Sequence, residues 1–144
     1  MNTRINMQQV QPEAYKAMIG LEKYLHGTAL TPAQLDLIKI RASQVNGCAY
    51  CINMHTRDAR KNGETEQRIY LLAAWRGADL FTAEEKAILA LTEQVTLISR
   101  PVTEDAYENA APMFTETYLA QIIMAIVAIN GWNRIATSTR MQPD

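Results

Sequence analysis

The segment "GTALTPAQLDLIKIRASQV" (27–45) indicates the fold class of this 144-residue chain. Thr31, Pro32 and Gln34 predict a helix start, because an N-cap threonine, a proline at the first helical position and a glutamine at the third favour a capping box. The apolar residues that follow form one broad face: Leu35, Leu37, Ile38, Ile40 and Ala42. A face of this width predicts a helix that is buried on more than one side.

The rest of the chain also follows helical periodicity. Residues 12–26 carry apolar side chains at helical spacing, and Thr82 with Glu85 predicts a second capping box. Further helix boundaries are predicted at these residues: a start at Cys48, ends at Gly63 and Gly77, a stop before Pro112, and a start after Thr115. No run alternates apolar and polar residues as a half-buried strand does. The sequence therefore predicts an all-α fold of several helices, in a single domain that spans residues 1–144.

Composition and charge argue against several classes of partner. The chain is 48% hydrophobic and 20% charged, with a net charge of -1, whereas nucleic-acid-binding proteins usually carry a basic excess. Residues 1–15 contain no apolar core of a secretory signal. The apolar segment "YLAQIIMAIVAIN" (118–130) is too short for a membrane span and is interpreted as a buried helix. We therefore expect a cytoplasmic protein with neither a nucleic-acid nor a membrane partner.

The segment "QVNGCAYCINMH" (44–55) contains both cysteines of the chain and one of its two histidines. A metal clip, a structural disulfide and a redox centre are the alternatives. Structural disulfides are uncommon in the cytosol, and a closed zinc site needs four ligands. No third cysteine exists and the other histidine, His26, lies in a different segment. The pattern therefore favours a redox centre without a metal or a cofactor.

A helix that begins at Cys48 places Cys48, Cys51 and His55 on one face, within an arc of roughly 60°. Free N–H groups at the helix start, the positive end of the helix dipole and a nearby histidine all favour a reactive thiolate. Two observations disagree about which thiol reacts first. The position nearest the helix terminus favours Cys48, whereas proximity to His55 favours Cys51.

The segment "LDLIKIRASQVNGCAYCINMHTRDAR" (35–60) closely resembles the core motif of the alkyl hydroperoxidase D-like (AhpD-like) proteins, within the carboxymuconolactone decarboxylase superfamily. Residues 81–96 and 129–136 are similar to later segments of the same family. Its motif is an acidic residue followed by C-x-x-C-x-x-x-H, which the chain matches at Cys48, Cys51 and His55. Twelve residues before the first cysteine, where the family has glutamate, this chain has Asp36, whose side chain is one methylene shorter.

The resemblance implies an alkyl hydroperoxide reductase that acts in antioxidant defence. In this chemistry Cys51 attacks the hydroperoxide and becomes a sulfenic acid, Cys48 condenses with it to a redox-active disulfide, and a dithiol reductant of unknown identity restores the thiols. His55 and Asp36 are expected to form the proton relay. The alternative is a thiol–disulfide oxidoreductase, or a redox- or zinc-sensing module, without significant peroxidase turnover.

The family resemblance also implies a homo-oligomer built on trimers, and a hexamer for a chain this short. The apolar residues of 35–42 and 118–129 point the same way, because together they exceed what a one-layer arrangement of helices could cover. We expect these two segments to contribute to the subunit interface.

Overall fold

The structure is a computed structural model, and it describes residues 4–144. This part of the chain contains α-helices and no strand, which confirms the predicted all-α class. The helices are α1 (Met7–Val10), α2 (Pro12–His26), α3 (Pro32–Asn46), α4 (Ala49–Lys61), α5 (Glu66–Leu71), α6 (Ala83–Thr96), α7 (Glu104–Ala110) and α8 (Glu116–Thr139). Short 3-10 turns, Leu72–Gly77 and Ala111–Met113, follow α5 and α7.

The predicted helix starts are confirmed at atomic detail. The Thr31 hydroxyl accepts a hydrogen bond from the Gln34 backbone N–H (3.2 Å), and the Gln34 side chain accepts one from the Thr31 N–H (3.1 Å). Thr82 and Glu85 make the same reciprocal pair at 3.1 and 2.9 Å. Thr115 caps α8 by accepting from the N–H three residues further on. Each such cap stabilises its helix by about 1 kcal/mol.

The boundaries differ from the prediction in two places. α4 begins one residue later than expected, at Ala49, and Cys48 is its N-cap. The segment before Gly77 is not one continuous helix, because Ala74 leaves helical geometry (φ -117°, ψ 29°) and the chain continues as a 3-10 turn. Leu72 and Trp75, which flank this irregular residue in the sequence, are both buried in the core.

α3 is the central helix and packs against α4, α6 and α8. More than half of its residues are buried, as the broad apolar face predicted: Leu35, Asp36, Leu37, Ile38, Lys39, Ile40, Ala42 and Ser43. One side of α3 joins the core formed with α2, α6, α7 and α8, and the other side joins a smaller core with α4, α6 and the 3-10 turn after α5. Two of the buried residues, Asp36 and Lys39, are charged, and both belong to the site described below.

α8 has the length and apolar composition of a membrane-crossing helix, but about half of its most apolar window is buried inside the fold. Its buried residues pack in the main core, as expected for residues 118–130. The apolar surface that 35–42 and 118–129 leave exposed is smaller than a one-layer arrangement predicted, and a subunit interface at these segments stays a prediction. These segments are covered within one chain because α3 and α8 pack against each other, and only Val127 is a large apolar side chain left exposed there.

Candidate active site

The turn between α3 and α4 sets the position of both cysteines. Gly47 ends α3 in the left-handed conformation (φ 66°), which a residue without a Cβ adopts at no steric cost. The Cys48 N–H then donates to the Ser43 carbonyl at 3.0 Å, and α4 starts at the next residue. The Cys48 sulfur accepts a hydrogen bond from the Cys51 backbone N–H (3.3 Å) and thereby acts as the N-cap of α4.

The two cysteines are joined as a disulfide across the first turn of α4, with their Cα atoms 5.3 Å apart. Both side chains are buried, at 1% and 2% exposure, and pack against Ala136 of α8. Their surroundings differ, however. Cys51 lines a cavity between α2, α3, α4 and α8, whereas Cys48 does not border it. A small molecule in this cavity would therefore meet the sulfur of Cys51.

His55 lies one turn after Cys51 on α4 and lines the same cavity. It is 7% exposed, and its Nε2 is buried without a hydrogen-bond partner in the described part of the chain. Burial, and then the nearby Lys39 ammonium, lowers the pKa of His55 to about 4. The imidazole is therefore uncharged at neutral pH and can accept a proton.

Asp36 borders the same cavity, but its carboxylate is engaged elsewhere. Oδ2 accepts a hydrogen bond from Nδ2 of Asn62, just after α4, at 2.8 Å. Burial raises the pKa of Asp36, while the Asn62 hydrogen bond and Lys39 partly oppose the rise. Within residues 4–144 no hydrogen bond joins Asp36 to His55 or to either cysteine. The predicted relay residues thus share one cavity, without direct contact between the acid and the histidine.

This cavity also contains an ion pair between a buried lysine and a partly buried glutamate, which the sequence did not reveal. Lys39 of α3 is 6% exposed and donates from Nζ to Glu22 Oε2 of α2 at 2.7 Å. Glu22 Oε1 also accepts a hydrogen bond from the Trp132 indole N–H of α8 (3.1 Å). One signal could have found Lys39: it is a lone cation within the apolar run "LIKI" (37–40) of a helix predicted to be buried.

The cavity has a volume of about 440 Å³, and its lining has a polar part and an apolar part. Its walls away from the polar groups are mainly apolar and aromatic: Tyr15, Ile19, Tyr50, Met54, Trp132 and Met141. The rings of Tyr15 and Trp132 meet edge to face, with centroids 5.3 Å apart, and form one rigid wall. An apolar cavity with a few convergent polar groups is typical of sites that bind small organic molecules.

The cysteine pair is not arranged as a metal centre. In the part of the chain that the structure describes, no group of three or more His, Cys, Asp or Glu side chains is placed to hold a metal ion. His26 lies on α2, where its largely exposed ring approaches Glu22 at 3.9 Å. The two sulfurs are bonded to each other, which is the oxidised state of a redox pair.

Comparison with known proteins agrees with this geometry. Residues 12–94 match the carboxymuconolactone decarboxylase family, and this range contains Asp36, both cysteines and His55. The chain belongs to that family. It is also 45% identical over 137 residues to the uncharacterized protein YdfG of Bacillus subtilis, covering 94% of this chain and 93% of YdfG.

Solved structures place the chain among the AhpD-like members of the family. The crystal structure of ATU0492 from Agrobacterium tumefaciens, a protein of unknown function with a proposed antioxidant role as AhpD, superposes with a TM-score of 0.96 at 40% identity over 99% of both chains. The debrominase Bmp8 shares the fold, with a TM-score of 0.84 at 18% identity over 92% of this chain and 72% of Bmp8. The AhpD-like assignment made from residues 35–60 is thus confirmed.

Proposed function

We propose that this protein is a cysteine-based peroxidase that reduces organic hydroperoxides. One observation carries the proposal: Cys51 borders an apolar cavity of about 440 Å³ beside an uncharged, unpartnered His55, while Cys48 lies behind it. A substrate with an apolar body and a reactive polar end fits this division of the lining. Hydrogen peroxide would leave most of the cavity to water.

The reaction starts from the reduced protein. His55 accepts the proton of the Cys51 thiol, and the thiolate attacks the terminal oxygen of ROOH. The O–O bond breaks, Cys51 becomes a sulfenic acid, and the leaving alkoxide takes the proton from His55 and departs as ROH. The Cys48 thiol then attacks the sulfenic sulfur, which releases water and forms the disulfide. A dithiol reductant returns both cysteines to thiols and is itself oxidised to a disulfide.

Asp36 has a supporting part in this proposal. Its carboxylate is held by Asn62 at the edge of the cavity, so it acts on His55 through a bridging water and not by direct contact. This arrangement follows from the shorter reach of aspartate compared with the family glutamate.

Burial of the sulfurs favours a small-molecule substrate over the alternative of a thiol–disulfide oxidoreductase that acts on proteins. A protein disulfide must approach an attacking sulfur in line, yet Cys48 and Cys51 are 1% and 2% exposed. An organic hydroperoxide can reach Cys51 through the cavity without movement of the backbone.

We further propose that the protein acts in the cytoplasm as a homo-oligomer built on trimers, in the form of a hexamer. The large apolar side chains left exposed outside the cavity supply surface for such contacts, including Tyr70 (72% exposed) and Ile98 (67% exposed). Light scattering at micromolar concentration checks the assembly, and a monomer mass would reject it.

The peroxidase proposal is tested by adding one equivalent of cumene hydroperoxide to the reduced protein. Mass spectrometry should show loss of two hydrogens per chain, as Cys48 and Cys51 close into the disulfide. Cys48→Ser should instead gain one oxygen, held as a sulfenic acid on Cys51. Cys51→Ser should not react at a comparable rate.

Stopped-flow measurement of thiol oxidation, with cumene hydroperoxide and then with hydrogen peroxide, measures substrate preference. The rate should be higher with the organic hydroperoxide. Two results would reject the proposal. One is that the thiols survive the hydroperoxide; the other is that Cys51→Ser reacts as fast as the wild type.

A further inference from the structure

An ion pair between two helices, in which Lys39 is buried and Glu22 partly buried, lies beside the thiol site and outside the C-x-x-C-x-x-x-H motif. Lys39 on α3 and Glu22 on α2 are joined at 2.7 Å, and Trp132 on α8 holds the second carboxylate oxygen at 3.1 Å. Burial of charges is unfavourable unless they are paired and hydrogen-bonded. Residues from three helices therefore hold a lysine ammonium at this cavity. Stability alone does not explain why a charge is placed there.

Charged and titratable groups reach this cavity from three helices. α2 contributes Glu22 and His26, α3 contributes Asp36 and Lys39, and α4 contributes Asp58 and Lys61 beside His55. The two lysines differ in environment: the Lys61 side chain is 78% exposed, so solvent screens its charge, whereas Lys39 is buried. A buried charge acts over a longer range, because the surrounding dielectric constant is low. Tyr15 and Tyr50 complete the titratable lining.

We propose that Lys39, positioned by Glu22 and Trp132, is an electrostatic component of the thiol site. Its ammonium keeps His55 uncharged before the reaction and favours the anions of the reaction, first the Cys51 thiolate and then the alkoxide that leaves. A cation near the protonated imidazole also makes it a stronger acid, so the proton is passed on to the alkoxide. The effect on the alkoxide rests on the proposed peroxidase function; the effects on His55 and Cys51 do not.

The first test needs no catalytic turnover. NMR titration of the imidazole in the oxidised protein follows His55 directly. Lys39→Met, which keeps the length of the side chain and removes its charge, should raise the midpoint of that titration by about one pH unit. Glu22→Gln, which can still accept the Lys39 and Trp132 hydrogen bonds, should lower it, because it leaves the lysine charge uncompensated. If the substitutions only loosened the cavity, the His55 midpoint would rise in both Lys39→Met and Glu22→Gln. That result would overturn the proposal.

Two control variants match these substitutions. Lys61→Met removes the exposed lysine of the same cavity. Glu93→Gln alters a similar arrangement away from the cavity, where Glu93 accepts from the Trp75 indole N–H (2.8 Å) and from Arg41 (2.8 Å). Both should leave the His55 midpoint unchanged. A shift in Lys61→Met as large as in Lys39→Met would show that burial of Lys39 has no special effect, and would refute the proposal.

The second test measures Cys51 itself. In the Cys48→Ser background, the rate of alkylation by iodoacetamide against pH reports the thiolate of a single cysteine. Lys39→Met should move this profile upward by about one pH unit, which lowers the thiolate fraction at pH 7 up to tenfold. An unmoved profile would contradict the proposal. Suppose that Lys39→Met shifts both the His55 midpoint and the thiol profile while the wild type does not reduce hydroperoxides. In that case the peroxidase function fails and the electrostatic role of Lys39 stands.

Discussion

His55 should make the oxidised protein less stable as the pH falls below about 6.5. Burial and then the Lys39 charge lower the pKa of His55 to about 4 in the folded chain, against about 6.5 when unfolded. Between these two values the unfolded chain binds the proton and the folded chain does not. The free energy of unfolding therefore rises with pH across this window, and the contribution of His55 is unfavourable at its acid end.

The magnitude follows from the separation of the two pKa values. One pKa unit corresponds to about 1.4 kcal/mol, so His55 costs about 3 kcal/mol below pH 4 and about 2 to 3 kcal/mol at pH 4.5. At pH 7 both states are almost unprotonated and the cost is close to zero. Because His55 is only 7% exposed, solvent screening reduces this effect little. A change of this size is a large fraction of the 5–15 kcal/mol that is typical of whole domains.

Urea unfolding of the oxidised wild type and His55→Gln at pH 7 and pH 4.5 tests the prediction. The stability difference between the two proteins should change by about 2 to 3 kcal/mol in favour of the variant at the lower pH. Comparing variants removes the contribution of Asp36, whose raised pKa has the opposite effect and stabilises the fold at low pH. His26→Gln, which changes an exposed histidine, should follow the wild type. Parallel pH curves for wild type and His55→Gln would refute the reasoning.

Three further predictions concern single residues. Asp36→Asn should slow oxidation of the reduced protein by about 10²- to 10⁴-fold in stopped-flow measurements, whereas Asp36→Glu should keep or raise the rate; an unchanged rate in Asp36→Asn removes this carboxylate from the mechanism. Gly47→Ala should destabilise the fold by about 1 kcal/mol in urea unfolding, because an alanine is strained at a φ of 66°; equal stability would contradict this. Thr82→Ala should cost about 1 kcal/mol through loss of the α6 cap, with no effect on thiol oxidation, and a slower oxidation would show that α6 is coupled to the site.

Features that depend on neighbouring residues were predictable from the sequence. Capping boxes join a residue to one three positions away, so Thr31 and Thr82 identify helix starts without knowledge of the fold. The common face of Cys51 and His55 follows in the same way from the geometry of one helix, whereas Cys48 precedes that helix as its N-cap and does not border the cavity. The breadth of the apolar face on α3 also predicted its central position correctly.

Features that depend on packing between helices were not predictable. Asn62 reaches Asp36 across 26 positions of sequence, and Glu22 reaches Lys39 across 17. Both pairs exist because α3 is enclosed by its neighbours, and no local pattern records which side chains will then meet. The exposed apolar surface expected at 35–42 was overestimated for the same reason, since the number of layers that cover a helix is a property of the whole fold.

The two cysteines occupy different positions at the start of α4, which the sequence did not distinguish. The Cys48 sulfur occupies the N-cap position of α4, where it accepts the Cys51 N–H as a serine or threonine oxygen would. Cys48 does not border the cavity, while Cys51 stands in the first turn of the helix and borders it. The free N–H groups of that turn and the uncharged His55 one turn later then act on Cys51. Under the proposed peroxidase function, this geometry supports Cys51 as the attacking thiol, with Cys48 within one helical turn to resolve the sulfenic acid.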